Sequence, residues 1–440
     1  MTSLKISGFT DYTEIEHRLF HAWQNRIEDA FALYGFMGFH PRPVESIEIL
    51  KAKGGIAHQI YTLGRLQDGG MTDLALPFDR TVPLAAYIAA HRQELTYPFK
   101  RFDISHSFRG ERAQSGRFRG FIQADIDVVE EKLSVFGESE CIQALLSALQ
   151  RLTIPSFTIY INHIEIPKAL IVHMGCPHER IPDALRILDK MDKIGFERVR
   201  TELQDAFPAL DLSLLSLLMW KEPFASIDKF QAQLPSSLRN LPGFAALKET
   251  ISLLEDHSAF LFTPGMVRGL DYYTGLILET VLQEHPSFGS IASGGRYNNL
   301  IDSLNPKKTQ IPLEGFGLSI GLTRLFDIAK RLDFLSQQSA PSCQIFVGFR
   351  DPKDQKQAVN IANQLRAMHI TTDVALQSSS LKKQLAYANA KQIPFAFLLM
   401  GETFVIKKLI DGTQTEDIIS LQEALLFCKN TILKMNDLYV

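Results

Sequence analysis

Side chains that can do chemistry are concentrated in a stretch of alternating polar and apolar residues near position 120. Arg119, Phe121, Gln123, Asp125 and Asp127 occupy every second position, and small or aliphatic residues stand between them. This period of two predicts a β-strand with one polar and one apolar face. For a strand taken alone, a polar face that meets water is the simpler interpretation.

The preceding stretch favours a binding surface instead. A second period of two places five polar side chains on one face: Arg101, Asp103, Ser105, Ser107 and Arg109. A polar loop, residues 110–116, joins the stretches, so we expect an antiparallel hairpin with Arg109 on the same face as Gln123 and Asp127. Four charged residues lie at or near its tip: Glu111, Arg112, Arg117 and Arg119. Carboxylates beside guanidinium groups can hold an ammonium and a phosphate together, as an amino acid and a nucleotide require.

A second cluster lies between residues 268 and 275. It contains Arg268, Asp271, Tyr272 and Tyr273 next to glycines, and it precedes a predicted strand at 276–281. Adjacent aromatic residues before a strand are compatible with a core position and with a ligand-binding wall. The pattern leaves both interpretations open.

Two glycine-rich segments are further candidates. The Gly-Gly-Arg-Tyr segment at 294–297 predicts a tight turn at which the backbone can approach a ligand closely. The segment 315–324 ends in Arg324, but its glycines have neither the spacing of a dinucleotide-binding motif nor that of a P-loop. If the protein binds ATP, arginines such as Arg109 and Arg324 must bind the phosphates.

The elements that must position these side chains follow from hydrophobic periodicity. Apolar residues at every fourth position from Ile15 to Phe31 predict an amphipathic helix. Between residues 74 and 127, strand patterns alternate with one helix that begins near Thr81 and Pro83. Residues 157–166 predict another strand.

The middle of the chain differs in pattern from both flanks. Residues 167–260 are mostly helical in pattern and contain no obvious polar site, which is typical of an inserted helical domain. Strand patterns resume after Pro264, and residues 314–331 predict a strand followed by a helix.

A second domain is predicted at the C-terminal end. Residues 336–342 are mostly small and polar and include Pro341, so we interpret them as a linker. Residues 343–440 then predict a small α/β unit. Its elements are strand 345–348, helix 358–368, strand 373–376, helix 381–390 and strand 395–400. Residues 341–440 carry 11 Lys and Arg against 9 Asp and Glu, a small excess that points toward a polyanionic partner.

Composition excludes several classes of protein. The 440 residues carry a net charge of −3, so any nucleic-acid surface must be local. The four cysteines are far apart and form no CxxC pair, which fits a reducing cytosol. His173, Cys176 and His178 lack a second ligand pair, so we expect no zinc site. No apolar run approaches the length of a membrane span, and we expect a cytoplasmic protein with no membrane contact.

Together these segments resemble the histidine–tRNA ligases, a family of class II aminoacyl-tRNA synthetases. Residues 108–121 resemble the second class motif, and residues 317–324 resemble the third. Residues 268–275 and 294–297 resemble the two histidine-specific boxes of the family. Three more segments are similar to it: Asn162-His163, residues 189–195 and residues 381–385.

The resemblance implies an α+β fold and a homodimer. It places an antiparallel sheet with flanking helices in residues 1–166 and 261–335, which form the class II catalytic domain. Residues 167–260 are then a helical insertion, residues 336–342 the linker, and residues 343–440 the anticodon-binding domain, a small α/β unit.

The resemblance also implies a two-step reaction through histidyl-adenylate, with L-histidine, ATP and tRNA(His) as substrates. Four residues would bind the α-amino group and neighbouring parts of histidine: Asp79, Thr81, Gln123 and Asp127. Tyr272 and Tyr273 would line the imidazole pocket, and Arg268 would bind near the reacting carboxylate and α-phosphate as a catalytic residue.

The implied ATP site consists of four residues. Arg109, also catalytic, would hold the α-phosphate and Arg324 the γ-phosphate, while Glu111 and Arg117 would engage adenine and the triphosphate. Mg²⁺ would bridge the phosphates, and no residue is assigned as a protein ligand of a metal. Gln114 would face the acceptor end of the tRNA.

The sequence departs from the family pattern in three places. The first class motif is only loosely matched by residues 41–45. Thr323 stands where the family usually has glutamate, and Asp79 stands where many bacterial relatives have glutamate.

Three alternatives remain at this point. A synthetase-like regulatory subunit of ATP phosphoribosyltransferase shares the catalytic fold, but it normally lacks a domain such as 343–440. Thr323 motivates a second alternative, a degenerate paralogue that binds RNA or protein without charging tRNA. A ligase for another amino acid would leave both histidine-specific boxes unexplained.

Overall fold

The computed structural model describes residues 4–51, 57–68, 72–112, 116–267, 273–304, 311–335, 341–415, 418 and 420–436. The chain forms two compact units. The first comprises Met1–Asp11 and Trp23–Leu335, and the second comprises Tyr12–Ala22 and Ser336–Val440. No helix in the described ranges is long and apolar enough to cross a membrane.

Strands up to residue 335 have the following bounds: β1 Met37–Gly38, β2 Glu45–Ser46, β3 Thr62–Leu63, β4 Leu74–Ala75, β5 Phe99–Phe108, β6 Gly120–Glu130, β7 Phe157–His163, β8 Glu222–Pro223, β9 Phe260–Phe262, β10 Leu276–Leu282, β11 Ala292–Arg296 and β12 Glu314–Ile320. The helices are α1 Glu14–Leu33, α2 Ile47–Lys51, α3 Thr81–His91, α4 Val135–Gln150, α5 Glu165–His173, α6 Ile181–Leu188, α7 Met191–Ile194, α8 Phe196–Ala206, α9 Ile227–Gln233, α10 Pro242–Ser252, α11 Leu300–Ser303 and α12 Leu322–Arg331. A 3₁₀ helix, Leu212–Met219, lies between α8 and α9.

A large mixed sheet carries the predicted site. Within the described residues it has nine strands in the order β1-β5-β6-β12-β11-β10-β7-β9-β8. The six strands from β5 to β7 in this order are antiparallel to their neighbours, whereas β1 pairs with β5, and β9 with β7, in parallel. The predicted α+β class with an antiparallel central sheet is therefore confirmed.

The predicted hairpin is confirmed, and the structure gives its register. β5 and β6 pair so that Arg101 lies opposite Asp127 and Asp103 lies opposite Asp125. All four of these side chains are at most 4% exposed. The interpretation of a polar face that meets water is therefore wrong for these residues, because the face is buried.

The glycine pair at 294 and 295 was expected in a tight turn, and that prediction is wrong. Both glycines lie inside β11, between β10 and β12. A Cβ at Gly294 would lie 2.0 Å from the carbonyl oxygen of Gly317. Close approach of neighbouring strands, and not a turn, therefore requires glycine here.

The strand predicted at 157–166 is shorter than expected. β7 ends at His163 and α5 begins at Glu165, with Pro167 in its first turn. Proline is tolerated there because the first turn of a helix leaves its backbone N–H groups without helical partners. Helices α5 to α10 then follow, and the two-residue strand β8 joins β9 at the edge of the large sheet.

The second unit contains a four-stranded sheet. Its elements are β13 Ile345–Phe349, α13 Gln355–Ala367, β14 Thr372–Val374, α14 Leu381–Ala390, β15 Phe395–Met400, β16 Thr403–Lys408 and α15 Leu421–Asn436. The strand order is β14-β13-β15-β16, with only β16 antiparallel. The predicted elements between 345 and 400 are confirmed within a few residues, whereas β16 and α15 were not predicted.

Candidate active site

A cleft of about 300 Å³ opens on the buried polar face of the large sheet. β6, β11 and β12 and the segments next to them line it. Five of the predicted site residues lie in this lining: Arg109, Glu111, Arg117, Gln123 and Arg324. Arg109 and Arg324 are 215 positions apart in the sequence. The fold therefore brings distant predicted site residues into one cleft.

Arg109 is held by two aromatic rings and one backbone carbonyl. Its guanidinium carbon lies 4.6 Å from the centre of the Phe78 ring and 4.9 Å from that of Phe121. Its Nε donates to the carbonyl oxygen of Phe78 at 3.3 Å. Contacts with two rings restrict a planar guanidinium to one plane, which suits a group that binds phosphate oxygens with two N–H groups.

Arg324 lies in the first turn of α12 and also faces the cleft. Its guanidinium donates to the carbonyl oxygen of Phe288. Burial and the positive charges of Arg117 and Arg109 lower the pKa of Arg324, while Glu279 and Glu111 oppose that shift. A site that gathers three guanidinium groups around a cleft favours a polyanionic ligand.

Glycine is required beside Arg324 at one position. Gly289 has φ of +71°, and a Cβ there would lie 3.1 Å from Nη2 of Arg324. Any other residue would adopt a strained backbone and press against the guanidinium.

Gln123 lies deeper in the same cleft. Its amide nitrogen donates to Oγ of Ser319 on β12 at 2.7 Å. Its Oε1 is buried and has no hydrogen-bond partner within the described ranges. At the mouth, Arg117 and Glu111 form an ion pair of 3.6 Å.

The residues predicted to bind the histidine α-amino group come from two elements. Asp79 is buried just before α3, and its Oδ1 accepts from the backbone N–H of Val82 at 3.0 Å. Thr81 is half-buried and begins α3. Asp127 lies on β6, and its Oδ1 accepts from the hydroxyl of Tyr297 at 2.7 Å.

Two carboxyl groups on β6, those of Asp125 and Asp127, are difficult to ionise. Burial raises the pKa of Asp125 to about 7, with Arg101 opposing that effect and Asp127 adding to it. Burial likewise raises the pKa of Asp127, and Arg101 and the Tyr297 hydroxyl lower it. A ligand cation placed beside these groups would favour their ionised forms.

Some predicted site residues lie outside the described residues or in a different setting. Arg268, Tyr272 and Gln114 lie outside the described ranges. Tyr273 is half-buried and packs against the apolar cluster that surrounds α3. Thr323 is buried, and its hydroxyl accepts from the backbone N–H of Ile122 at 2.8 Å, so it connects α12 to β6.

Asn162 anchors the chain that leads to the segment 268–275. Its side-chain nitrogen donates to the carbonyl oxygens of Pro264 and Met266, at 3.0 and 2.8 Å. The sequence singled out Asn162 only by resemblance, and the structure supplies a physical role for it.

Sequence reasoning missed three polar residues on this face. Ser319, Ser293 and Glu279 lie on β12, β11 and β10, each opposite the next in the register. Ser319 and Ser293 line the cleft, and Glu279 lowers the net positive charge around Arg324. The period-two patterns of β10 and β12 were the available signal for these residues. A single polar residue in an otherwise apolar strand does not show whether it faces a site or solvent until the neighbouring strands are known.

Divalent cations have oxygen ligands available here. The carboxylates of Glu111 and Glu279 both act on Arg324, and hard cations such as Mg²⁺ prefer carboxylate and phosphate oxygens. The described residues contain no group of three or more His, Cys, Asp or Glu side chains that could hold a metal ion without a ligand. A cation at this site would therefore need oxygens from a bound substrate.

The antiparallel sheet, its β5–β6 hairpin and the β12–α12 passage that carries Arg324 define the catalytic fold of a class II aminoacyl-tRNA synthetase. Comparison with known proteins identifies the family within this class. A sequence model described as histidyl-tRNA synthetase matches residues 8–325. The chain belongs to the histidyl-tRNA synthetase family.

Individual relatives are similar over almost their whole length. The histidine–tRNA ligase of Clostridium tetani is 32% identical over 97% of this chain and 98% of its own. That of Wolinella succinogenes is 34% identical over 91% of each chain. The crystal structure of histidyl-tRNA synthetase from Nostoc sp. PCC 7120 superposes with a TM-score of 0.83 at 29% identity, covering 97% of this chain and 99% of that one.

Proposed function

We propose that this chain is an ATP-dependent histidine–tRNA ligase. It would join the carboxylate of L-histidine to the α-phosphate of ATP, release diphosphate, and then transfer the histidyl group to tRNA(His) with release of AMP. The observation that carries the proposal is the single cleft that gathers Arg109, Arg117 and Arg324 beside Gln123. The arginines make this cleft a polyanion site, and Gln123 in its lining lies on the same strand, β6, as Asp127.

The amino-acid half of the reaction would use the buried carboxylates before α3 and on β6. Asp79 and Asp127 would hold the ammonium group, with Thr81 and Gln123 as neutral partners. Tyr272 and Tyr273 would line the imidazole pocket, by resemblance to the family. Holding the ammonium fixes where the histidine carboxylate lies, and positioning of two reactants is a large part of such catalysis.

The nucleotide half uses the arginines. A histidine carboxylate oxygen attacks the α-phosphorus of ATP, and the bond to the diphosphate leaving group breaks. Arg109 would stabilise the charge that develops on the α-phosphate, together with Arg268. Arg324 would bind the γ-phosphate, and Glu111 and Arg117 would contact the adenine and the triphosphate.

The donor set fits Mg²⁺ as the cation of the nucleotide. Glu111 and Glu279 would hold it together with phosphate oxygens, because no set of three protein ligands exists among the described residues. When bound, the ion would neutralise phosphate charge and make the diphosphate a better leaving group.

We also propose the remaining assignments by resemblance. Residues 1–166 and 261–335 would form the catalytic domain, with a helical insertion at 167–260. Residues 343–440 would bind the anticodon, and Gln114 would face the acceptor end of tRNA(His). The active form would be a homodimer in the cytoplasm.

ATP–pyrophosphate exchange with each of the twenty amino acids tests the proposal. We expect exchange with histidine alone. Arg109→Ala should reduce its rate by roughly 100-fold or more, the usual effect of removing a group that stabilises transition-state charge. Arg200→Ala, at an exposed position of α8, is the matched control and should exchange at the parental rate. Exchange with another amino acid, or with none, would contradict the proposal.

A further inference from the structure

Buried charges form a row across β5 and β6 that includes Asp127, one of the residues proposed to bind the ammonium group. Arg101 lies opposite Asp127, and Asp103 lies opposite Asp125. Two carboxylates directly opposite each other are unfavourable in a sheet, and more so when buried. Such an arrangement requires cations in contact with it.

Two buried guanidinium groups supply those cations. Nη2 of Arg101 lies 2.7 Å from Oδ2 of Asp127, and its Nη1 lies 3.4 Å from Oδ2 of Asp103. Nε of Arg80 donates to the same Asp103 oxygen at 2.8 Å. Arg101 is fully buried and Arg80 is 2% exposed. Neither side chain can reach the ligand space by a simple rotation without leaving its carboxylate.

The contacts connect two separate parts of the predicted ammonium site. Nη2 of Arg101 also donates to the backbone carbonyl oxygen of Arg80 at 3.4 Å. Arg80 stands between Asp79 and Thr81, which lie at the start of α3, whereas Asp127 lies on β6. One guanidinium group therefore contacts both sides of the site, and Arg80 connects the first side to Asp103 on β5.

Other contacts also hold the segment before α3 against β5, since the backbone N–H of Phe108 donates to the carbonyl oxygen of Pro77 and Nε of Arg109 donates to that of Phe78. Arg80 is further anchored by donating to the carbonyl oxygen of Pro41 at 3.0 Å. Its Asp103 partner also contacts Nδ1 of His40 at 2.6 Å. The network thus has a fixed outer end, at residues 40–41, and an inner end at Asp127.

The inner end carries an excess of acceptors. Four buried carboxylates face two guanidinium groups: Asp79, Asp103, Asp125 and Asp127 against Arg80 and Arg101. Within the described part of the chain, Oδ1 of Asp125 and Oε1 of Gln123 are buried without a hydrogen-bond partner, and so are Nε and Nη1 of Arg101, so the surplus of acceptors is one of carboxylate charge over guanidinium charge. An incoming cation with several N–H donors would satisfy this surplus, and an α-ammonium group has three.

We propose that Arg101 and Arg80 are positioning residues for the histidine α-ammonium group: they hold the Asp79–Thr81 segment and the Asp127 carboxylate at the separation that the ammonium needs. This inference rests on the proposed function. Neither residue touches the substrate, so both act through the carboxylates and the backbone they contact. The predicted defect is therefore selective for the amino group of the ligand.

Binding of two ligands measures that selectivity. The first is L-histidine, and the second is imidazolepropionate, which is histidine without its α-amino group. Both dissociation constants are measured by calorimetry on the full-length chain. For Arg101→Met we expect the Kd of histidine to rise by roughly 10- to 100-fold, the range for losing a good hydrogen bond to a charged group. The Kd of imidazolepropionate should stay near its parental value.

Two milder variants keep the test informative if Arg101→Met does not fold. Arg101→Lys and Arg80→Lys keep the charge but lose the planar fork that contacts two partners at once. Both should fold and should lose part of the preference for histidine over imidazolepropionate. The matched control is Arg92→Met, because Arg92 pairs with Asp302 at 3.1 Å just beyond the other end of α3 and is also largely buried.

The outcomes separate this inference from the proposed function. A selective loss for histidine in the Arg101 and Arg80 variants, with the parental preference in Arg92→Met, supports the inference. Equal weakening of both ligands would show a merely structural role and overturn it, as would folded lysine variants with the parental preference. A parent chain that binds neither compound would overturn the proposed function itself.

Discussion

At the scale of single residues, the active-site face depends on side chains that their neighbours hold in place before any ligand binds. Arg109 lies against the rings of Phe78 and Phe121, and Asp127 lies between Arg101 and Tyr297. Each side chain is restricted by its neighbours, so little conformational entropy remains to be lost when a ligand binds. The site is preorganised by packing and not by loops alone.

Asp125 makes folding stability depend on pH. Burial raises its pKa to about 7 from 3.8, so protonation favours the folded state. This contribution is fully present below the unfolded pKa and is lost as the pH rises through the folded value. Asp125→Asn cannot ionise, so its unfolding free energy should rise relative to that of the parent between about pH 4 and about pH 7, then stay level.

Urea unfolding of both proteins across that range measures the difference. Asp228→Asn, at an exposed position that pairs with Lys248, is the control. Its unfolding free energy should change with pH in the same way as that of the parent. The charged and polar groups that face Asp125 are Arg101, Asp103, Asp127 and Ser319. If the unfolding free energies of Asp125→Asn and the parent changed with pH in the same way, the Asp125 carboxyl would not titrate in the expected range.

Thr323 shows the limit of reading a residue type from a motif. Its departure from the usual glutamate motivated the alternative of a degenerate paralogue that does not charge tRNA. In the structure its hydroxyl accepts from Ile122 N–H and connects α12 to β6. A backbone donor has no signature in the sequence, so this partner could not be foreseen.

At the scale of elements, period-two patterns predicted the hairpin and its polar face, but not its register. Alternation fixes which residues share a face, whereas the pairing of positions depends on the geometry of the connecting loop. The pattern could not show that this face is buried, because burial depends on β12 and on the segment before α3. The prediction of a tight turn at the glycine pair in β11 was wrong for a similar reason. The atoms that exclude a Cβ there belong to the neighbouring strands β12 and β10, which the local sequence does not show.

Glycine in β12 makes room for a site residue. Gly317 lies opposite Asp127, and a Cβ there would lie 2.0 Å from Oδ1 of that carboxylate. Gly317→Ala should therefore displace Asp127. We expect kcat/KM for histidine to fall by roughly 100-fold, the effect of misplacing a reacting group by about 1 Å, while the KM for ATP changes little.

Steady-state exchange kinetics measure both constants. Gly38→Ala in the edge strand β1 is the control, because its Cβ would lie 3.3 Å from the Phe102 ring, on the far side of β5 from β6. Unchanged histidine kinetics in a folded Gly317→Ala protein would contradict the assignment of Asp127 to histidine.

At the scale of the whole molecule, the chain consists of two compact units, and the sequence placed the change near the linker it predicted at 336–342. Small polar residues with proline gave that signal. The assignment of residues 12–22 to the second unit has no such signal, because α1 is one continuous amphipathic helix in the sequence.

The proposed binding of the anticodon by the second unit predicts separable effects on the two steps. Lys382 and Lys383 are exposed near the start of α14. Replacing both with glutamate should raise the KM for tRNA and reduce its dependence on salt, because phosphate contacts release counterions. Histidine-dependent exchange should stay at the parental rate. Lys429→Glu on α15 is the control, and an equal effect there would point to net charge and not to this helix.

Charging of tRNA(His) with radiolabelled histidine tests the central claim most directly. We predict ATP-dependent formation of histidyl-tRNA, with AMP and diphosphate released in equal amounts and no charging by Arg109→Ala. Histidine-dependent exchange without any transfer to tRNA would contradict the claim and leave the chain as a histidine-activating protein that is not a ligase for tRNA.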